Sequence, residues 1–336
     1  GAKFLPPAQL WTDGSEGSRM MQKSKNGKTI NLSKFIVYIS FFIVLIGFSI
    51  LLPGKFLTAS NILNILRQTA MISVAAVGMT FAITAGQIDL STGSMTATTS
   101  LIVALVLQKA PAPIAVLAGI AVGLLCGGIN GLILTKCRIP AFIVTLGSSS
   151  VYTGFARSLT NLEAVPITNN TFTHWFGSGN LGVIPTLFIW TIIITVAGQY
   201  LYKKTSFGRA VLAVGGNEAA ARYSGIHADK IKFWSMVICG VTAALSGILY
   251  AGRMHGARYT YGENDNMNII AAVVIGGTSF SGGKGTVFGT LIGSLVIGML
   301  NNGLLLLGLS VNAQMIARGI VIIVAVSLSL REKKND

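Results

Sequence analysis

The feature that restricts this chain most is a series of long apolar runs, at 35–52, 68–86, 92–108, 112–134, 140–157, 183–202, 233–251, 268–282, 286–308 and 313–330. A bilayer core about 30 Å thick takes about 20 mostly apolar residues per helix, and only helices or closed barrels satisfy the backbone there. The runs are not alternating, which excludes a barrel. They predict an all-α polytopic membrane protein of about ten transmembrane helices, with the run at 268–282 short enough to be re-entrant. Charged residues make up 10% of the 336, against about 25% in a soluble domain. The chain divides into an N-terminal tail 1–34, a membrane domain 35–330 that contains a polar loop 203–232, and a C-terminal tail 331–336. Residues 1–19 begin with Gly and precede Met20-Met21, and read as an expression remnant foreign to the fold.

The net charge of +15 invites a nucleic-acid reading, but the basic residues fall in short segments between apolar runs. With the N-terminus cytoplasmic, eighteen Lys and Arg lie inside and six outside, with Arg318 inside a span. That asymmetry predicts both termini and the 203–232 loop on the cytoplasmic side, and no nucleic-acid partner. Cys126, Cys137 and Cys239 show no CxxC spacing, and His174, His227 and His255 are far apart. Neither a disulfide framework nor a metal site is expected.

Between two apolar runs stands "GQIDLSTGS" (86–94). Asp89 lies there with almost no polar spacer, whereas the other nine acids fall in tails or loops. Two readings of Asp89 stay open: a cap on the following helix, or a group on a translocation pathway, since intramembrane ionisable residues face a bundle interior or cavity. Displaced by 190 residues, "AITAGQIDLSTGSMTATTSLIVALV" (82–106) falls without gaps on "AVVIGGTSFSGGKGTVFGTLIGSLV" (272–296), with Gly86, Ser91, Gly93 and Thr96 meeting identical residues. This reads as an internal repeat, either inverted or direct; the span count places both copies on one side of the membrane, and Ser279 stands where Asp89 does. The run "GGTSFSGGKGT" (276–286) imitates a phosphate loop, but Thr278 and Gly285 occupy positions where GxxxxGK[ST] needs Gly and Ser or Thr. The chain therefore has no ATP site of its own. The small residues of "GIAVGLLCGGINGL" (119–132) suit close helix packing.

In the polar loop, Gly215-Gly216 break the chain, Asn217 can cap a short helix with Glu218 in its first turn, and Gly225 can end it. Such a helix is either a solvated connector or a docking element for a cytosolic partner, with Ala219, Ala220 and Ala221 small enough to enter a groove.

"AVGGNEAAARYSGI" (213–226) resembles the Glu-Ala-Ala loop of the membrane subunits of ATP-binding cassette importers, specifically the monosaccharide permeases of the branched-chain amino acid/ribose type. "AVGMTFAITAGQIDLSTGSM", "FIVTLGSSSVYTG", "AAVVIGGTSFSGGKGTVFGTLIG" and "NNGLLLLGLS" are similar to that family's segments too, so the resemblance covers about Phe56 to Val326. It implies a non-enzymatic subunit in the bacterial inner membrane that moves ribose or a similar monosaccharide. The implied partners are a second permease copy, a cytosolic ATPase that binds the ATP and Mg, and an external sugar-binding protein. It places Gly215, Gly216, Asn217, Glu218, Ala219, Ala220, Arg222 and Gly225 in the ATPase-coupling loop, and Asp89, Ser91, Gly93, Thr278, Ser279 and Ser281 near the pathway. The outer stretch "GRMHGARYTYGENDNMN" (252–268) is more polar than the family pattern. The alternative is a cation-coupled secondary carrier using Asp89, which leaves the 215–225 loop without a task.

Overall fold

A computed structural model describes residues 33–263, 265–310, 312–317, 319–320 and 323. Leaving aside a one-turn helix at Asn170–Thr173, the helices are α1 (Ser33–Leu51), α2 (Ala59–Thr84), α3 (Thr92–Leu107), α4 (Ala112–Lys136), α5 (Ala141–Leu159), α6 (Thr186–Lys204), α7 (Ser206–Gly216), α8 (Glu218–Tyr223), α9 (Ala228–Arg253), α10 (Asp265–Ile275) and α11 (Val287–Leu306). Residues 312–317 are helical as well. By length and composition α2, α4, α9 and α11 can each cross a membrane, and α3, α10 and Val37–Leu51 are shorter apolar helices. The predicted tails and most of the run 313–330 lie outside the described residues.

The two longest helices, α2 and α9, have 26 residues each and run antiparallel. Arg253 near the end of α9 donates to the Arg67 carbonyl early in α2 at 3.1 Å, while Thr242, earlier in α9, reaches the Ala75 carbonyl, later in α2, at 3.5 Å. Around this pair the contacts exchange: α9 packs on α3 and α4, and α2 packs on α10 and α11. The fold is therefore an inverted repeat in which α2-α3-α4 and α9-α10-α11 correspond. The internal repeat exists, but its structural register is not the 190-residue one. The segments matched in sequence both leave the same end of the bundle, where they meet a common tight neighbour at Gly215.

Close packing is made by glycine. Successive positions Gly119, Gly123, Gly127 and Gly131 of α4 face Ile248, Ala244, Gly240 and Phe233 of α9. A Cβ at Gly127 would stand 2.6 Å from the Met236 carbonyl. With no hydrophobic drive between helices in lipid, such approach supplies the dispersion contacts that hold the pair. Residues Tyr38, Ile39, Phe42, Ile43, Ile46 and Ile50 of α1 remain exposed at three-to-four spacing, a lipid-facing stripe, while Phe48 and Leu52 pack on Val296 and Met299.

Two details correct the predicted spans. The run read as 68–86 is part of a helix that begins at Ala59, because Thr58 caps it by accepting from Asn61 N. The 268–282 run is not re-entrant. Residues Gly256–Ala257 pair antiparallel with Val165–Pro166 beyond the end of α5, whereas Gly282 and Gly283 pack against Gly215 and Gly216, so the chain between them traverses the bundle. It does so with only 11 helical residues, about 16 Å, and irregular backbone supplies the rest.

Candidate coupling face and pathway

Helices α7 and α8 lie between α6 and α9 at one end of the bundle. Thr205 caps α7 by accepting from Gly208 N at 3.2 Å, and Asn217 caps α8 by accepting from Ala220 N at 3.0 Å. Gly215 and Gly216 are the last turn of α7, not the predicted break. Helix α7 was missed although Phe207, Val211 and Val214 repeat at helical spacing; Val211 is buried beside Phe81 and Tyr202. Gly225 adopts φ +81° and turns the chain into α9, as its position predicted. Ala221 anchors α8 against Val214 and Ala228, leaving Ala219, Ala220, Arg222 and Tyr223 exposed.

Four charged groups fix this mount. The Glu218 carboxylate accepts from Lys232 at 2.6 Å and from Arg222 at 2.9 Å, and Arg222 also donates to Asp229 at 2.6 Å. The hydrogen bond from Lys232, aided by Arg222, holds the Glu218 carboxyl below its usual range against a smaller opposing effect of burial. These groups line a cavity of about 750 Å³ that reaches Gln87, Arg138 and Phe142.

The same end holds the 276–286 loop. Gly283 N donates to the Thr84 carbonyl at 2.9 Å, and a Cβ on Gly215 would strike both Thr84 O and Gly283 N. Thr278 is buried, and its hydroxyl accepts from Thr286 N at 3.4 Å. Ser279 and Ser281 sit in the turn closed by Gly282 N donating to Ser279 O at 3.0 Å. The cap of α11 is Thr286, not Ser279.

Asp89 and Ser91 lie apart from those residues. Asp89 is fully buried, and its Oδ1 accepts from Ser91 N at 2.8 Å and from the Ser91 hydroxyl at 2.6 Å. Ser91 Oγ accepts from Asn130 Nδ2 at 2.8 Å, and Tyr152 donates to Asn130 Oδ1 at 3.1 Å. The result is a polar chain from the start of α3 through α4 to α5. Gly93 belongs to a third place: its N donates to Asn266 Oδ1 at 2.6 Å, while Asn266 Nδ2 donates to the Leu90 carbonyl at 2.6 Å. A Cβ on Gly262 would come within 3.0 Å of Gly93 O, and one on Gly93 would meet Gly262 O. The six pathway candidates thus occupy three locations. Asn130, Tyr152, Asn266 and Lys232 were missed; Asn130, an amide inside the apolar run "LLCGGINGL", carried the clearest signal.

Residues 61–326 match the family model described as branched-chain amino acid transport system / permease component. The ribose import permease protein RbsC of Escherichia coli (strain K12) is 42% identical over 283 residues, covering 82% of this chain and 87% of that one. RbsC of Bacillus subtilis (strain 168) is 42% identical, covering 84% and 88%, and the D-allose transport system permease protein AlsC of Escherichia coli is 34% identical, covering 82% and 85%. No solved structure matches. With the matched region reaching from α2 past α11, this chain belongs to the branched-chain amino acid transport system permease component family.

Proposed function

We propose that this chain is the membrane-spanning permease subunit of an ATP-driven importer that passes a monosaccharide, ribose or a similar sugar, through a multi-pass bundle. The observation that carries the reading is α8, a capped six-residue helix whose outer face is exposed while its inner face is pinned by Ala221 and the Glu218–Lys232 and Arg222–Asp229 pairs. It is shaped to be gripped from outside and to pass displacement into α9. The names of the relatives support the sugar.

In this reading a cytosolic ATPase binds ATP and Mg and engages Gly215, Gly216, Asn217, Glu218, Ala219, Ala220, Arg222 and Gly225, and an external binding protein delivers the sugar. Both termini are then cytoplasmic. A second copy packs on α5, whose open face sets Gly147, Ser150 and Gly154 beside Leu146 and Val151. Asp89, Ser91 and Gly93 shape the break before α3, and Thr278, Ser279 and Ser281 the loop before α11. Cation coupling through Asp89 is not favoured: its Oδ1 is engaged by Ser91, and Asp89 does not line the 750 Å³ cavity at the coupling face. The test is co-purification with the cognate ATPase and uptake in liposomes. Glu218→Arg combined with Gly216→Trp is expected to abolish both, and retention of both overturns the assignment.

A further inference from the structure

Arg157, in the last turn of α5, reaches across to the other half of the repeat. Its guanidinium stands 3.7 Å from the Glu263 carboxylate and 5.2 Å from the Tyr259 ring centroid. Both partners belong to the polar stretch 254–263 that follows α9. Beside this contact is a cavity of about 30 Å³ whose side chains include Ser94 of α3, Ser149 and Thr153 of α5, and Tyr259, Glu263 and Asn266. The place is a narrow polar crevice between α3, α5 and the stretch before α10.

We propose that Glu263 is a sugar-contacting, specificity-determining residue of the pathway, and that Arg157 is its stand-in partner when the pathway is closed. This rests on the importer reading and names where within it the sugar is recognised. The chemistry fits a polyol. A carboxylate accepts hydrogen bonds from two adjacent sugar hydroxyls, the serine and threonine hydroxyls both donate and accept, and an aromatic face covers the apolar side of a sugar ring. Arg157 occupies the carboxylate and the ring together, so one separation of α5 from the 254–263 stretch frees both. The ion pair suits this exchange because its side chains are 47% and 49% exposed, which leaves it screened and readily displaced. Asn266 is held by Gly93 and Leu90 and supplies the fixed wall.

The experiment uses the full complex in liposomes with sugar-loaded binding protein at saturation, and ribose, allose and galactose as probes. Sugar moved per ATP hydrolysed is the readout. Glu263→Gln is expected to lower that ratio at least tenfold while ATP hydrolysis and assembly stay within twofold, and Glu263→Asp to recover most of it with a changed preference among the three sugars. The charge exchange Arg157→Glu with Glu263→Arg, which keeps an ion pair but moves the carboxylate, is expected to leave hydrolysis at the wild-type level and not to recover sugar transfer. Wild-type ratios and sugar preference in Glu263→Gln overturn the proposal while leaving the importer reading intact. ATP-dependent uptake of none of the sugars by the wild-type complex overturns both.

Discussion

Glu218 carries the most consequential charge on the coupling face. Because its carboxyl is held below the ordinary value by Lys232 and Arg222, its contribution is present above the unfolded-state value, about 4.3, and is lost as pH falls through the lower folded value. Wild type is therefore expected to lose thermal stability in detergent between pH 7 and pH 3.5 more steeply than Glu218→Gln, and identical slopes would contradict the linkage. The size is modest, about 0.5 kcal/mol, since the carboxylate is 38% exposed and screened. Inside the bundle, Asn130→Leu leaves Ser91 without its donor and Tyr152 without one acceptor, although Tyr152 retains the Cys126 carbonyl at 3.1 Å. An expected loss of about 1 kcal/mol follows, measured by thermal unfolding; in a cycle with Tyr152→Phe the two losses should fall short of additivity, and strict additivity would break the proposed chain.

Helices were legible where composition alone decides them, and less so where neighbours do. The runs at 112–134 and 233–251 fall on α4 and α9 because each is apolar for the length a bilayer needs. The glycine run at 119–132 was readable as a packing face, and the contrast between adjacent glycines tests it. Gly127→Leu drives a side chain into the Met236 carbonyl and should cost about 1–3 kcal/mol, whereas Gly128 faces open space, so Gly128→Leu should leave the melting temperature within 2 °C, roughly the scatter of a surface change. Equal effects would remove the ladder from the account. Two elements escaped the sequence for physical reasons. Helix α7, with 11 residues, is too short to register as a span, and α10 is apolar for only part of a crossing that irregular backbone completes. The two ends of α8 were legible, because Asn217 and Gly225 act within a few residues of themselves, whereas its Lys232 partner, fourteen residues from Glu218, was not. The site at Arg157 and Glu263 was not, since it joins residues over 100 positions apart.

At the scale of the whole molecule, two halves of opposite direction meet along α2 and α9, and their broken segments touch where Gly93 faces Gly262. Gly93→Val, which puts a branched side chain between them, is expected to stall transport while α8 still binds the ATPase; unchanged uptake would show that the contact opens freely. The polar chain from Asp89 has a different reach. Ser91, Asn130 and Tyr152 all lie before residue 153, whereas Cys239, which also borders the Asp89 carboxyl, comes from α9. During synthesis the carboxyl can thus find Ser91, Asn130 and Tyr152 before α9 leaves the ribosome, so the nascent first half enters the lipid with its most costly side chain already partly sheltered, and the Cys239 side and the bare glycine flank of α4 await the second half.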